Sequence, residues 1–130
     1  MAALPLLVFD TNILMDVLLG RDGADAVLLV ELAEEKRVEI AVPEYVLMEF
    51  RGTALRWTRD ELERLSNVRR SANEWARSQE LGASAHDIKT AAADVEDKLK
   101  ALQGQVDLVV NRIRSVARVA PTHDRPALSR

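Results

Sequence analysis

From Ile88 to Val116 apolar residues recur at alternating spacings of four and three: Ile88, Ala92, Val95, Leu99, Leu102, Val106, Val109, Ile113 and Val116. An unbroken heptad seam of this length is the pattern of a helix that packs against another helix along one stripe. About thirty residues of helix are roughly 45 Å long at 1.5 Å per residue, which is more than a small α/β body can cover. The seam needs a partner, and the preceding residues offer one. Leu55, Leu62, Leu65, Val68, Ala72, Trp75 and Ala76 also fall at helical spacings, up to about Gln79. Leu81, Gly82 and Ala83 make a connector short enough to fold the second helix back on the first, with Gly82 suited to a left-handed helix end. Ser84 and Asp87 then read as a capping box with Asp in place of Glu. The expectation is a long antiparallel α-helical hairpin over residues 55–118. Its seam could also recruit a third helix from a second copy or another protein. Gly104 would mark a close helix approach or a bend, and Gly52 with Thr53 a bend or an interruption before the hairpin.

The N-terminal third reads differently. Leu6, Leu7, Val8 and Phe9 form an apolar run without alternation, which suits a strand buried on both faces of a parallel sheet or a buried helical turn, with Pro5 favouring the strand. Asp10, Thr11 and Asn12 then make a polar corner, after which Ile13, Leu14, Val17 and Leu18 return at helical spacing. That helix should run from Asn12 to Leu19 and end at Gly20. A strand, a polar corner and a helix put Asp10 at the carboxyl end of a strand, where open α/β sheets bind ligands. Asp10 or Thr11 could equally do no more than cap the helix. Asp16, four residues after Asn12, faces the same side as the corner and is either an outer carboxylate of a site or solvent-facing. Ala24 to Lys36 reads as a second helix, Val38 to Val42 as a second strand ending at Pro43, and Glu44 onward as a third helix with Val46, Leu47 and Phe50 inward. Glu49 falls among these core candidates. An unpaired carboxylate near a core is costly to ionise, so Glu49 either pairs with Arg51 or Arg56 or lines a metal site. Val116 to Thr122 is a candidate third strand through Val119 and Ala120, and His123 to Arg130 a polar tail.

These elements define an α/β fold with a small parallel sheet of two to three strands, divided into an α/β portion (1–54), the helical hairpin (55–118) and a third strand with its tail (119–130). At 130 residues the chain is one domain, large enough to fold alone. Its composition, 48% hydrophobic and 30% charged, is that of an ordinary soluble protein. With no cysteine, disulfides, thiolate nucleophiles and thiolate metal sites are excluded. A metal would have to be held by oxygen ligands or by His86 and His123, which makes Mg²⁺ or Mn²⁺ the default. No secretory signal and no apolar run of transmembrane length is present, so a cytoplasmic protein is expected. Residues 1–50 hold ten acids against Arg21, Lys36 and Arg37, whereas residues 51–77 hold seven arginines against four acids. An acidic site beside an arginine-bearing segment fits metal-holding carboxylates next to phosphate-holding guanidinium groups. Mixed charge on a long helix is also simply a solvated face.

Val-Phe-Asp-Thr-Asn-Ile-Leu at residues 8–14 resembles the opening motif of the PIN-domain nucleases, metal-dependent ribonucleases that include the toxins of many bacterial toxin–antitoxin pairs. The family's first strand ends on an acidic metal ligand followed by Thr or Ser and Asn, and here these positions are Asp10, Thr11 and Asn12. Residues 38–51, Val-Glu-Ile-Ala-Val-Pro-Glu-Tyr-Val-Leu-Met-Glu-Phe-Arg, are similar to the family's second acidic block and put Glu49 in its ligand position. The resemblance covers about the first fifty residues. It implies further aspartates beyond the second block, and the ones present fit poorly: Asp87, Asp94, Asp97 and Asp107 fall on the hairpin as solvated helix positions, and Asp124 lies in no family motif. The chain resembles a PIN-like protein with a long helical insertion, cut off where the sheet would resume or completed by a partner.

The function so implied is metal-assisted phosphodiester hydrolysis of RNA, with Asp10 and Glu49 holding Mg²⁺ or Mn²⁺. Thr11, Asn12 and Asp16 would orient those ligands, and Arg51, Arg56 and Arg59 are candidates for the RNA backbone. No aromatic platform for bases is visible among Phe9, Tyr45, Phe50, Trp57 and Trp75. The alternative is a catalytically inactive PIN-like interaction module that assembles through its hairpin, as a homo-oligomer or with a partner protein. A phosphatase or nucleotide-binding domain is disfavoured because no glycine-rich phosphate loop follows the first strand.

Overall fold

The computed structural model describes residues 3–21 and 25–121. Strands β1 (Leu6–Val8), β2 (Glu39–Pro43) and β3 (Ala117–Ala120) form a three-stranded sheet in the order β1-β2-β3, parallel throughout. The chain is α/β and mostly helical, with α1 (Thr11–Leu19), α2 (Asp25–Glu34), α3 (Glu44–Trp75) and α4 (Gly82–Val116). It divides into two compact units, one made of the residues up to Ala54 and from Gln105 onward, the other of Leu55–Gly104. The polar tail, with His123 and Asp124, lies outside the described residues.

In the first unit the short connections fix the sheet. Asp10 caps α1, and Gly20 ends it in the left-handed conformation at φ 66°, its amide donating to the Asp16 carbonyl. Helices α1 and α2 then form the crossover that returns the chain to β2, beside β1 in parallel register, Leu7 opposite Ile40. Phe9, Leu14, Val30, Ile40, Val42, Leu47, Phe50, Val106 and Ile113 are buried and make the core. The expectation that residues 6–9 are buried on both faces fails. Leu6 is 52% and Val8 67% exposed, while Phe9 is buried. β1 is an edge strand, and the face carrying Leu6 and Val8 has no helix over it among the described residues.

Acidic N-terminal residues are matched here by arginines from the end of α4 and from β3. Arg112 donates twice to Glu34 (3.0 and 2.7 Å), Arg114 twice to Glu44, and Arg118 to Glu39 at 2.9 Å. The Arg112 hydrogen bonds hold the Glu34 carboxyl below its ordinary pKa, and those of Arg114 do the same for Glu44. The acidic excess of residues 1–50 is thus partly offset by Arg112, Arg114 and Arg118, whereas Arg51, Arg59, Arg64 and Arg69 pair with acids beyond residue 50.

α3 passes through Gly52 and Thr53 without the interruption that these residues allow. A single glycine costs about 1 kcal/mol relative to Ala in a helix interior, too little to stop one held by packing. α4 opens at Gly82, so Ser84 is inside the helix and caps nothing; Gly82 has no positive φ, and α3 has already ended at Trp75. The Leu81 amide instead donates to Ser78 Oγ at 3.3 Å. Gly104 marks no close approach, since nothing lies within 4 Å of where its Cβ would be.

In the second unit Thr58, Ala72, Ala85, Ala92 and Leu99 are buried, and Arg69 donates to Glu96. The inward residues include three alanines. Two helical segments bury only one narrow stripe each, which leaves Val68, Trp75 and Val95 more than 40% exposed although their spacing had placed them inside. Along α4 every seventh position, Ala85, Ala92, Leu99, Val106 and Ile113, is buried. The alternate seam positions Ile88, Leu102, Val109 and Val116 are only half-buried.

Candidate active site

The backbone ladder of β1 runs one residue past the strand, with the Phe9 amide donating to the Ala41 carbonyl at 3.0 Å. The next residue, Asp10, has extended backbone and opens α1. Its Oδ1 accepts a hydrogen bond from the Ile13 amide at 2.8 Å, and its carbonyl accepts from the Leu14 amide at 3.2 Å. The helix-capping role that the sequence left open is therefore filled by Asp10. It occupies one carboxylate oxygen and leaves the second for another partner.

Glu49 lies in the second turn of α3. It is exposed and not enclosed with Val46, Leu47 and Phe50, so the cost of a charge inside a core does not arise. Its partner is neither Arg51 nor Arg56. Thr11 Oγ1 donates to Glu49 Oε1 at 2.8 Å, a bond spanning 38 residues that joins the polar corner to the second acidic block. Asp10, Thr11, Asn12 and Glu49, with Tyr45, Val46 and Thr53, line one open cavity of about 490 Å³. α1 and the first turns of α3 thus bring together all but one of the residues proposed for the centre of a site.

The exception is Asp16, which is absent from this lining and is held by Arg21 Nε at 3.0 Å. None of the three candidate backbone-binding arginines lines the cavity either. Arg51 Nε donates to Asp107 at 2.7 Å, Arg59 sits 3.7 Å from Asp60, and Arg56 is exposed on α3. Asp94 pairs with Lys98 at 3.0 Å, and Asp87 and Asp97 are exposed, as solvated helix positions should be. His86 is exposed on α4. Among the described residues no group of three or more His, Asp or Glu side chains is placed to hold a metal ion.

Two lining residues were not singled out from sequence. Tyr45 and Thr53 lie four residues before and after Glu49, and that spacing on a helix puts all three on one side. That spacing is the signal in the sequence that ties them to Glu49. Tyr45 also places an aromatic ring at the site, where the sequence had suggested none.

The family model described as PIN domain matches residues 6–125, most of the chain. The chain belongs to the PIN-domain family. The match extends the likeness well beyond the first fifty residues and includes the helices that follow them. A PIN domain is a fold of nuclease type, and its members in general depend on divalent metal ions and act on RNA. Neither the curated proteins nor the solved structures gave a significant match. No helix among the described residues is long and apolar enough to cross a membrane.

The donor set at the cavity suits a hard divalent ion. It consists of carboxylate, amide and hydroxyl oxygens, without sulfur or imidazole. Mg²⁺ commonly accepts one or two protein carboxylates and completes its octahedron with water and substrate phosphate oxygens.

Proposed function

We propose that this PIN domain is a metal-dependent endoribonuclease that hydrolyses phosphodiester bonds at the cavity shared by α1 and α3. The observation that carries the reading is the Thr11–Glu49 hydrogen bond of 2.8 Å, because it joins the two acidic blocks in one cavity of a PIN-family chain.

Asp10 and Glu49 would hold Mg²⁺ or Mn²⁺. When bound, the ion supplies the positive charge that makes water acidic enough to attack near neutral pH and offsets the charge of the phosphate. The protein's own part is to fix the donors in advance. The Ile13 amide orients Asp10 and the Thr11 hydroxyl orients Glu49, and each carboxylate keeps one oxygen beyond that bond. Supporting hydrogen bonds of this kind hold ligands in place and raise affinity for the ion. Asn12 contributes an amide at the same corner. Asp16, engaged by Arg21, acts further out by anchoring the end of α1. Arg51, Arg56 and Arg59 are the candidates for the RNA backbone, with Arg51 already paired to Asp107 and Arg59 near Asp60. A cytoplasmic location goes with this substrate.

We read α3 and α4 as an antiparallel hairpin. In the first unit Glu44 pairs with Arg114 and Arg51 with Asp107, so partners rise in number along one helix as they fall along the other.

The test is cleavage of a labelled single-stranded RNA with Mg²⁺ or Mn²⁺, with an EDTA control, by the wild type and by Asp10→Asn and Glu49→Gln. Cleavage that needs metal and falls to background in both variants is expected. Equal cleavage by all three proteins would refute the assignment.

A further inference from the structure

Along α3 the residues lining the active-site cavity recur every fourth position at Tyr45, Glu49 and Thr53, with Val46 beside them. At 1.5 Å per residue, four residues advance about 6 Å along the axis. Tyr45 therefore stands about one helical turn from the carboxylate proposed to hold the ion. It is half-buried, so part of the side chain is packed while part borders the open space. The other aromatic residues do not share that position. Phe9 and Phe50 are 1% and 0% exposed, and Trp57 and Trp75 belong to the second compact unit. A cavity of about 490 Å³ falls within the roughly 300–1,000 Å³ typical of small-ligand clefts. It has room for more than a phosphate group.

The geometry points to Tyr45 as a base-stacking residue that receives the base of a nucleotide flanking the scissile phosphate. This rests on the nuclease reading above and adds to it the residue that holds the base. The remaining lining residues offer hydrogen bonds or a small aliphatic surface, which cannot give a base an aromatic face. Stacking on an aromatic ring accepts any base, because each has a π-face. A base inside a duplex has both faces covered by its neighbours and must be unstacked before it can reach such a ring. The contact expected at this position therefore needs an unstacked base and does not read which base it is.

The test measures binding in Ca²⁺ buffer, which slows turnover. The probes are a short single-stranded oligoadenylate carrying 2-aminopurine and an abasic oligomer of the same length. The proteins are the wild type, Tyr45→Phe, which keeps the ring, and Tyr45→Leu, which keeps apolar bulk without a π-face; thermal unfolding checks that each is folded. Wild type and Tyr45→Phe should bind the oligoadenylate alike and quench the 2-aminopurine. Tyr45→Leu should bind it about 5- to 150-fold more weakly, the range that base–aromatic stacking spans, without quenching, and should bind the abasic oligomer as the wild type does. Equal binding by Tyr45→Leu, or the same loss on the abasic oligomer, would overturn stacking while leaving the nuclease reading intact. Failure of the wild type to bind or cleave any of these strands would overturn both.

Discussion

Asp10 has two duties in this account, capping α1 and holding a metal ion, and substitution can separate them. Asp10→Ala removes the acceptor of the Ile13 amide, a 2.8 Å bond. Loss of such an N-cap costs typically about 1 kcal/mol. Asp10→Asn keeps an oxygen that can accept the same bond, and Asn caps about as well as Asp, so only the favourable interaction of a negative charge with the helix N-terminus is lost, about 0.3–1 kcal/mol. With an unfolding entropy of about 2.1 cal/mol/K per residue, a domain of this size loses about 4 °C of Tm per kcal/mol. Without metal, Ala should thus lower Tm by about 4 °C and Asn by less. Saturating metal adds a different signal. At a hundredfold excess over Kd a ligand stabilises the fold by about 2.7 kcal/mol, about 10 °C here, and both variants should lose that gain. Differential scanning fluorimetry with and without Mn²⁺ reads both effects. An Asn variant that keeps the full metal-dependent rise would show that Asp10 is a helix cap and nothing more. An Ala variant as stable as wild type would refute the capping energetics.

The glycines of the chain should respond oppositely. Gly104→Ala should raise stability by about 0.5–1 kcal/mol, because its Cβ meets nothing within 4 Å in a helix interior, whereas Gly20→Ala should lower it by a similar amount, because Gly20 holds φ 66°; urea unfolding midpoints decide both. Phe50→Ala, at a fully buried site, should cost about 3–5 kcal/mol, and a loss under 1 kcal/mol in the same assay would mean that the first unit's core is not packed as described. Glu34 and Glu44 have folded pKa values below their ordinary 4.5 because Arg112 and Arg114 donate to them; their contribution is present above the unfolded value and lost as pH falls through the folded one. Carboxyl NMR titration should find Glu44 back near its ordinary value in Arg114→Met, and an unchanged titration would contradict the pairing.

Elements with a local signature were legible in the sequence. The switch from the apolar run at residues 6–9 to helical spacing, closed by Gly20, marked β1, the corner and α1, because each step changes a periodicity or needs a particular backbone conformation. Val119 and Ala120 likewise marked β3. Burial was harder to read, since it depends on what covers an element. Leu6 and Val8 look like a doubly buried strand, yet the sheet leaves them at an uncovered edge. Val68 and Trp75 keep perfect spacing on helices too few to enclose them. Long-range polar partners were the least legible. Nothing local to Glu34 announces Arg112, and nothing near Arg51 announces Asp107. At the site the acids and the corner could be found from their motifs, but Asp16 pairs with Arg21 and Tyr45 enters from a position whose side of the helix mattered more than its residue type.

A metal site built from Asp10 and Glu49 is tested by calorimetric titration of the chain with Mg²⁺ or Mn²⁺, repeated on Asp10→Asn and Glu49→Gln. The wild type should bind saturably, and both substitutions should abolish the binding although neither unfolds the protein. Binding that survives in both variants, or no binding by a well-folded wild type, would contradict a metal site built from these two carboxylates.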